Sequence, residues 1–182
     1  SSGNIIGPDA TGNTLANFID SDSALLVENS SNNTIGGIAP EARNLIASLQ
    51  LNAGANDNRV QGNYIGTRAD GLSKLPGLLG SGISIDRSSN NLIGGTVVGA
   101  RNVIGGGIWI LGRPVISPVD LSGAASGANR VLGNFIGVGA DGVVALGNTQ
   151  PGITLTGYAN GNSIGGIQPG AGNVIAWNGQ RG

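Results

Sequence analysis

Residues 58–65 read Asn58-Arg59-Val60-Gln61-Gly62-Asn63-Tyr64-Ile65 and hold two copies of one tripeptide, Asn–x–Ile/Val. Eleven copies of it form two series. The first is Asn33-Thr34-Ile35, Asn58-Arg59-Val60, Asn91-Leu92-Ile93, Asn129-Arg130-Val131 and Asn162-Ser163-Ile164. The second is Asn4-Ile5-Ile6, Asn44-Leu45-Ile46, Asn63-Tyr64-Ile65, Asn102-Val103-Ile104, Asn134-Phe135-Ile136 and Asn173-Val174-Ile175. The two alternate strictly, and an apolar–x–apolar triplet precedes each member of the first: Leu25/Val27, Leu49/Leu51, Ile83/Ile85, Ile108/Ile110 and Ile153/Leu155. Three short segments recurring in fixed order are the mark of a solenoid. Side chains alternate across a strand, so each Ile column faces inward on a pleated surface that suits β-branched residues. The pattern predicts an all-β chain folded as a right-handed parallel β-helix. It is a single-stranded solenoid with three strands per coil, five coils plus a partial N-terminal coil. The hand follows from the near-universal right-handedness of parallel crossovers.

Working outward from the strands, two kinds of coil alternate. One has a long connection between its second and third strands, such as Gly94 to Arg101, and a short exit. The other has a tight Val–x–Gly–Asn junction there and a long exit turn. The larger repeat is therefore a pair of coils, 58 positions from Asn33 to Asn91. Asn44 to Asn58 spans 14 positions but Asn102 to Asn129 spans 27, which places an inserted loop at about 111–127. Residues 1–182 are read as a single β-helix domain. The chain enters the repeat almost at once and ends with no polar capping coil, so we expect a segment of a longer solenoid or end-to-end self-association.

Composition narrows the chemistry. Net charge is −1 and charged residues make up 10%, which argues against nucleic acid as a partner, since phosphate binding needs clustered Lys and Arg. There is no Cys and no His, which removes disulfides, thiolate or imidazole metal sites, a Ser–His–Asp triad and a His general base. No apolar run is long enough for membrane insertion. Neither a cofactor nor a metal is expected. Asn tolerates left-handed backbone and its amides can stack in hydrogen-bonded columns, which gives the recurrent asparagines an architectural reading.

The phrases NNTIGG (32–37), NNLIGG (90–95), GNYIGTRADG (62–71) and GNFIGVGADG (133–142) resemble the bacterial right-handed parallel β-helix repeat proteins. The resemblance covers the chain apart from the insertion. It implies the shape of the pectate-lyase-like solenoid superfamily, a fold shared with polygalacturonases and phage tailspikes. It also implies an extracellular or cell-surface setting, although no signal peptide opens this segment. The function it suggests is a non-catalytic secreted or surface scaffold or adhesion module that contacts carbohydrate. The alternative is a carbohydrate-active enzyme of the same fold, a polysaccharide lyase or glycoside hydrolase.

Each candidate site has a plainer counterpart. Asp70 and Asp141, in Ala-Asp-Gly, would suit Ca²⁺ but lie two coils apart and equally suit a turn. Glu28, Asp57 and Asp86 are the carboxylates available to a glycosidase, yet Glu28 and Asp86 are also two coils apart. Arg59 and Arg130 could grip an acidic polysaccharide or be solvated surface groups. The outward apolar column Ile5, Leu45, Tyr64, Val103, Phe135, Val174 is either a binding stripe or a second small core covered by Leu15, Leu75 and Leu146 of the long exit turns. The preferred ligand site is Trp109, an aromatic among the small polar residues of its column. It is flanked by Asp86, Tyr158 and Gln50, and by Arg113 at the start of the insertion. Such a mix would suit a sugar subsite on a polysaccharide.

Overall fold

The structure, a computed structural model, describes residues 3–16, 23–78, 80–112 and 126–179. Among the described residues sixteen strands form three parallel sheets. The first strands of the coils are β2 (Leu25–Glu28), β5 (Leu49–Asn52), β8 (Ile83–Asp86), β11 (Ile108–Leu111) and β14 (Ile153–Thr156). The second strands are β3 (Thr34–Gly36), β6 (Arg59–Gln61), β9 (Leu92–Gly94), β12 (Arg130–Leu132) and β15 (Ser163–Ile164). The third are β1 (Ile5–Ile6), β4 (Leu45–Ile46), β7 (Tyr64–Ile65), β10 (Val103–Ile104), β13 (Phe135–Ile136) and β16 (Val174–Ile175). Within each sheet every inner strand pairs with its counterparts one coil before and one coil after, in the register set by the tripeptides; Val60, for example, pairs with Ile35 and Ile93. This is the three-strand-per-coil parallel β-helix that the repeat predicts.

The apolar positions of all three sheets meet in one continuous core, in which Ile46, Leu51, Ile65, Ile85, Ile93, Ile104, Ile110 and Ile136 are sealed from solvent. Of the isoleucines the repeat marks most clearly as core, Ile35, Ile65, Ile93 and Ile136 are buried, whereas Ile164 is 40% exposed. Ile164 lies on β15, an edge strand of its sheet, so one side of it has no stacked neighbour among the described residues.

Beside the isoleucines run two asparagine ladders. In the first, Oδ1 of each asparagine accepts both the backbone N–H and the side-chain N–H of the asparagine one coil earlier, from Asn33 through Asn58, Asn91 and Asn129 to Asn162, at 2.9–3.1 Å. The second repeats this from Asn4 through Asn44, Asn63, Asn102 and Asn134 to Asn173. A further amide N–H donates to a carbonyl of the preceding coil, as Asn134 does to Ile93. Seven of these side chains are fully buried, and a buried amide is tolerable only when its donors and acceptors are met in this way.

The alternation of coil types has a spatial cause. Each long exit turn is a small antiparallel hairpin, bridged at Pro8–Leu15, Thr67–Lys74 and Val138–Ala145. Two chain widths are about 9.6 Å, the height of two coils, so a hairpin on every second coil fills the stack. The Ala69 N–H donates to the Gly12 carbonyl and Ala140 to Gly71, joining each hairpin to the next. The tight junctions work by the same rule in reverse. Gly62 and Gly133 have φ of +69° and +68°, and a Cβ there would strike carbonyls of the long connections in the coils on either side.

The hairpins also settle the outward apolar column, where Leu45 and Val103 are buried and Tyr64 and Phe135 half-buried. Hairpin backbone lies directly on it: a Cβ on Gly12 would come within 2.5 Å of Leu45, one on Gly71 within 2.6 Å of the Tyr64 ring, and one on Gly142 within 3.2 Å of Phe135. Arg43 and Arg101 stack on the same two rings, 4.2 and 4.1 Å from their centres, while each Nε donates to a junction carbonyl, Gly62 or Gly133. Leu75 and Leu146 are buried and Leu15 half-buried. The column is a second core, uncovered only at Ile5 and Val174, its two ends. No helix among the described residues is long and apolar enough to cross a membrane.

Candidate functional site

On β11, Ile108 and Ile110 point into the core, so alternation turns Trp109 outward, where it is 48% exposed. Its column runs Leu26, Gln50, Ser84, Trp109, Thr154 in register. The neighbours directly before and after it are small and leave the indole uncovered. Trp109 forms one wall of a groove of about 400 Å³, lined also by Gly80, Ser81, Gly106, Ile108, Gln150, Pro151 and Thr154.

The groove is built at the corner between third and first strands. Gly105-Gly106-Gly107 carries the chain from β10 to β11, and φ of +111° at Gly106 and +76° at Gly107 demands glycine there. Those bare backbones let neighbouring segments close in: a Cβ on Gly106 would sit 2.8 Å from the Gly82 nitrogen, and one on Gly107 would strike the Pro151 carbonyl. The Gly106 N–H donates to Asn148 Oδ1 at 2.8 Å, and the Asn148 amide donates to Asn178 Oδ1 at 2.8 Å, fixing the corner from behind. Pro151 is half-buried and Gln150 is exposed beside it.

The residues expected around Trp109 are distributed differently. Gln50 lies in its column two coils earlier, half-buried, and does not line the groove. Asp86 ends β8, in register with Leu111, 4% exposed and with Oδ2 3.6 Å from Arg87 Nε. Tyr158 is exposed past the end of β14, its backbone packed against Gly112. Asp86 and Tyr158 therefore stand at the C-terminal ends of the first strands, and the groove opens at the N-terminal ends. Arg113 lies outside the described residues, as does most of the inserted loop. Beside Thr154, the column neighbour that the repeat predicts, the structure brings to Trp109 a set that the sequence did not point to: Ser81, Gln150 and Pro151. A visible signal was the three-glycine run at 105–107, where the equivalent short exit reads Ala47-Ser48.

The other candidates resolve as follows. Glu28 accepts from the Asn52 amide at 3.4 Å, and Arg87 donates to Asn52 Oδ1 at 3.2 Å, so Asn52 stands between the Glu28 and Asp86 carboxylates. No group of three or more His, Cys, Asp or Glu that could hold a metal occurs among the described residues. Asp70 accepts the Leu72 amide, and Asp141 those of Val143 and Val144, which makes both turn caps. The Val144 and Val143 amides hold the Asp141 carboxyl below its usual range. In the first hairpin Thr11 occupies that position and Asp9 takes over, accepting from the Thr14 and Thr11 hydroxyls and the Thr11 and Asn13 amides; these bonds lower its pKa strongly. Arg59 and Arg130 flank Leu92 in a separate polar groove of about 510 Å³, which Asp57 also lines.

Comparison with protein-family models, with characterised proteins and with solved structures found no match to this chain.

Proposed function

We propose that this β-helix is a non-catalytic scaffold or adhesion module of a secreted or surface protein, bacterial and pectate-lyase-like by the resemblance of its repeats, and that it contacts polysaccharide at Trp109. The observation that carries the reading is the half-exposed indole, walled by Pro151 and bordered by the hydroxyls of Ser81 and Thr154 and the amide of Gln150. An aromatic face offers a platform for the C–H face of a sugar ring, and hydroxyls and amides match its hydroxyl rim. We further propose that residues 1–182 act as one domain, with the inserted loop at about 111–127. The edge strands of the helix, where Leu155 and Ile164 are exposed, would pair with those of a second copy.

The test is retention on a panel of insoluble and soluble polysaccharides, with reducing-sugar release measured on the same panel. Binding to at least one glycan without product release is expected, and Trp109→Ala should weaken it by about 1 kcal/mol, roughly five-fold. Binding to none, or binding that Trp109→Ala leaves intact, would remove Trp109 from the reading. Product release would favour the lyase or hydrolase alternative.

A further inference from the structure

Resting on that carbohydrate reading, we infer that the Trp109 groove selects an uncharged glycan and that Gln150 is its specificity-determining side chain. None of the groove's described lining residues is ionisable. An acidic sugar entering it would shed water from a carboxylate with no cation to replace that water, a loss that outweighs what stacking returns. A hydroxyl is a different guest. It gives one proton and accepts two, and Gln150 offers both an acceptor oxygen and a donor amide, with Ser81 and Thr154 matching it on either hand. The ring of Pro151, next in the chain, crowds the Gln150 backbone and confines it to extended conformations, which limits the directions its side chain can take.

The chain supplies its own counter-example on the next sheet. The Arg59–Arg130 groove carries two guanidiniums, the groups that pair with carboxylates in bidentate fashion. The two grooves are thus chemically opposite, and only the uncharged one holds an aromatic platform.

The experiment reads Trp109 fluorescence in the full chain, in a Trp177→Phe background so that the signal comes from one indole. Neutral gluco- and manno-oligosaccharides are compared with oligogalacturonates of equal length, at low and high salt. We expect the neutral ligands to bind at least about tenfold more tightly, with no salt dependence, because no ion pair is made. Gln150→Lys should narrow or reverse that preference, and its effect should fade at high salt. Oligogalacturonate that shifts Trp109 emission at concentrations as low as the neutral ligands need would overturn the inference while leaving the carbohydrate reading in place. A preference unmoved by Gln150→Lys, with thermal melting unchanged, would overturn the role of Gln150. Binding of neither class would overturn both.

Discussion

Two corners of each coil are governed by asparagine ladders, and the third is not. At the laddered corners the same side chain recurs coil after coil, the backbone returns to the same place, and loops of different length leave from a fixed point. At the third corner the corresponding work falls to Ser48, whose hydroxyl accepts the Ala24 amide, and later to Asn148 and Asn178. Here the hairpins come and go, three glycines run in succession, and the Trp109 groove opens. The lesson is a division of labour. Where a repeated hydrogen-bond column fixes the chain, the surface is dictated by the fold; where the column is interrupted, side chains are free to serve a ligand.

Four substitutions would break or sharpen that contrast, and the expected effects descend. The largest lies in the core that both kinds of corner share. Ile93 is sealed between Val60 and Val131, and Ile93→Asp buries an unpaired charge at a cost comparable to the whole stability of a domain, roughly 5 kcal/mol or more. Far-ultraviolet circular dichroism should show no folded strand signal; a soluble, cooperatively melting variant would show that the stack tolerates interruption. Next come the asparagines themselves. Asn134 accepts two hydrogen bonds from Asn102 and donates to Ile93, Leu132 and Asn173, so Asn134→Ala strands several buried groups and should cost on the order of 3 kcal/mol. Asn148, with one bond accepted from Gly106 and one donated to Asn178, should cost about half as much when changed to alanine. Equal losses in denaturant titrations would erase the distinction between the corners. The smallest effect is a gain. The residue before each asparagine of the first ladder is left-handed in every coil, with φ from 55° to 70° at Asn32, Asp57, Asn90, Ala128 and Gly161. Alanine is the one strained there, and Ala128→Gly should raise stability by about 0.5 kcal/mol, strain relief exceeding the added chain entropy. A fall in melting temperature would mean that entropy dominates even at a left-handed site.

The sequence was most readable where the constraint is periodic. Strand order and register follow from the tripeptides because a misplaced residue in a two-residue period faces the wrong side. The fate of the outward Tyr64–Phe135 column was readable only in part. That something covers it follows from its length, but the Arg43 and Arg101 stacks depend on the Ala-Arg-Asn phrase recurring two coils apart, and a scan for apolar periodicity passes over charged residues. The groove was least readable. Trp109 stood out as an aromatic in a polar column, yet its neighbours come from exit turns at the start of the strand, and sequence proximity to the insertion pointed to the other end. Side-chain alternation states which face a residue takes; it does not state which corner overhangs it.

The joined hairpins carry a consequence for how such a chain lengthens. Each fills two layers and bonds to the next, so deleting a coil that lacks a hairpin would drive two hairpins into collision and adding one would leave a gap half a hairpin high, while a coil that bears a hairpin would do the opposite. Viable insertions and deletions should therefore come in steps of two coils. For a genome this makes a 58-residue duplication the smallest neutral change of length, and for an engineer it makes that block the brick from which a longer or shorter rod is laid.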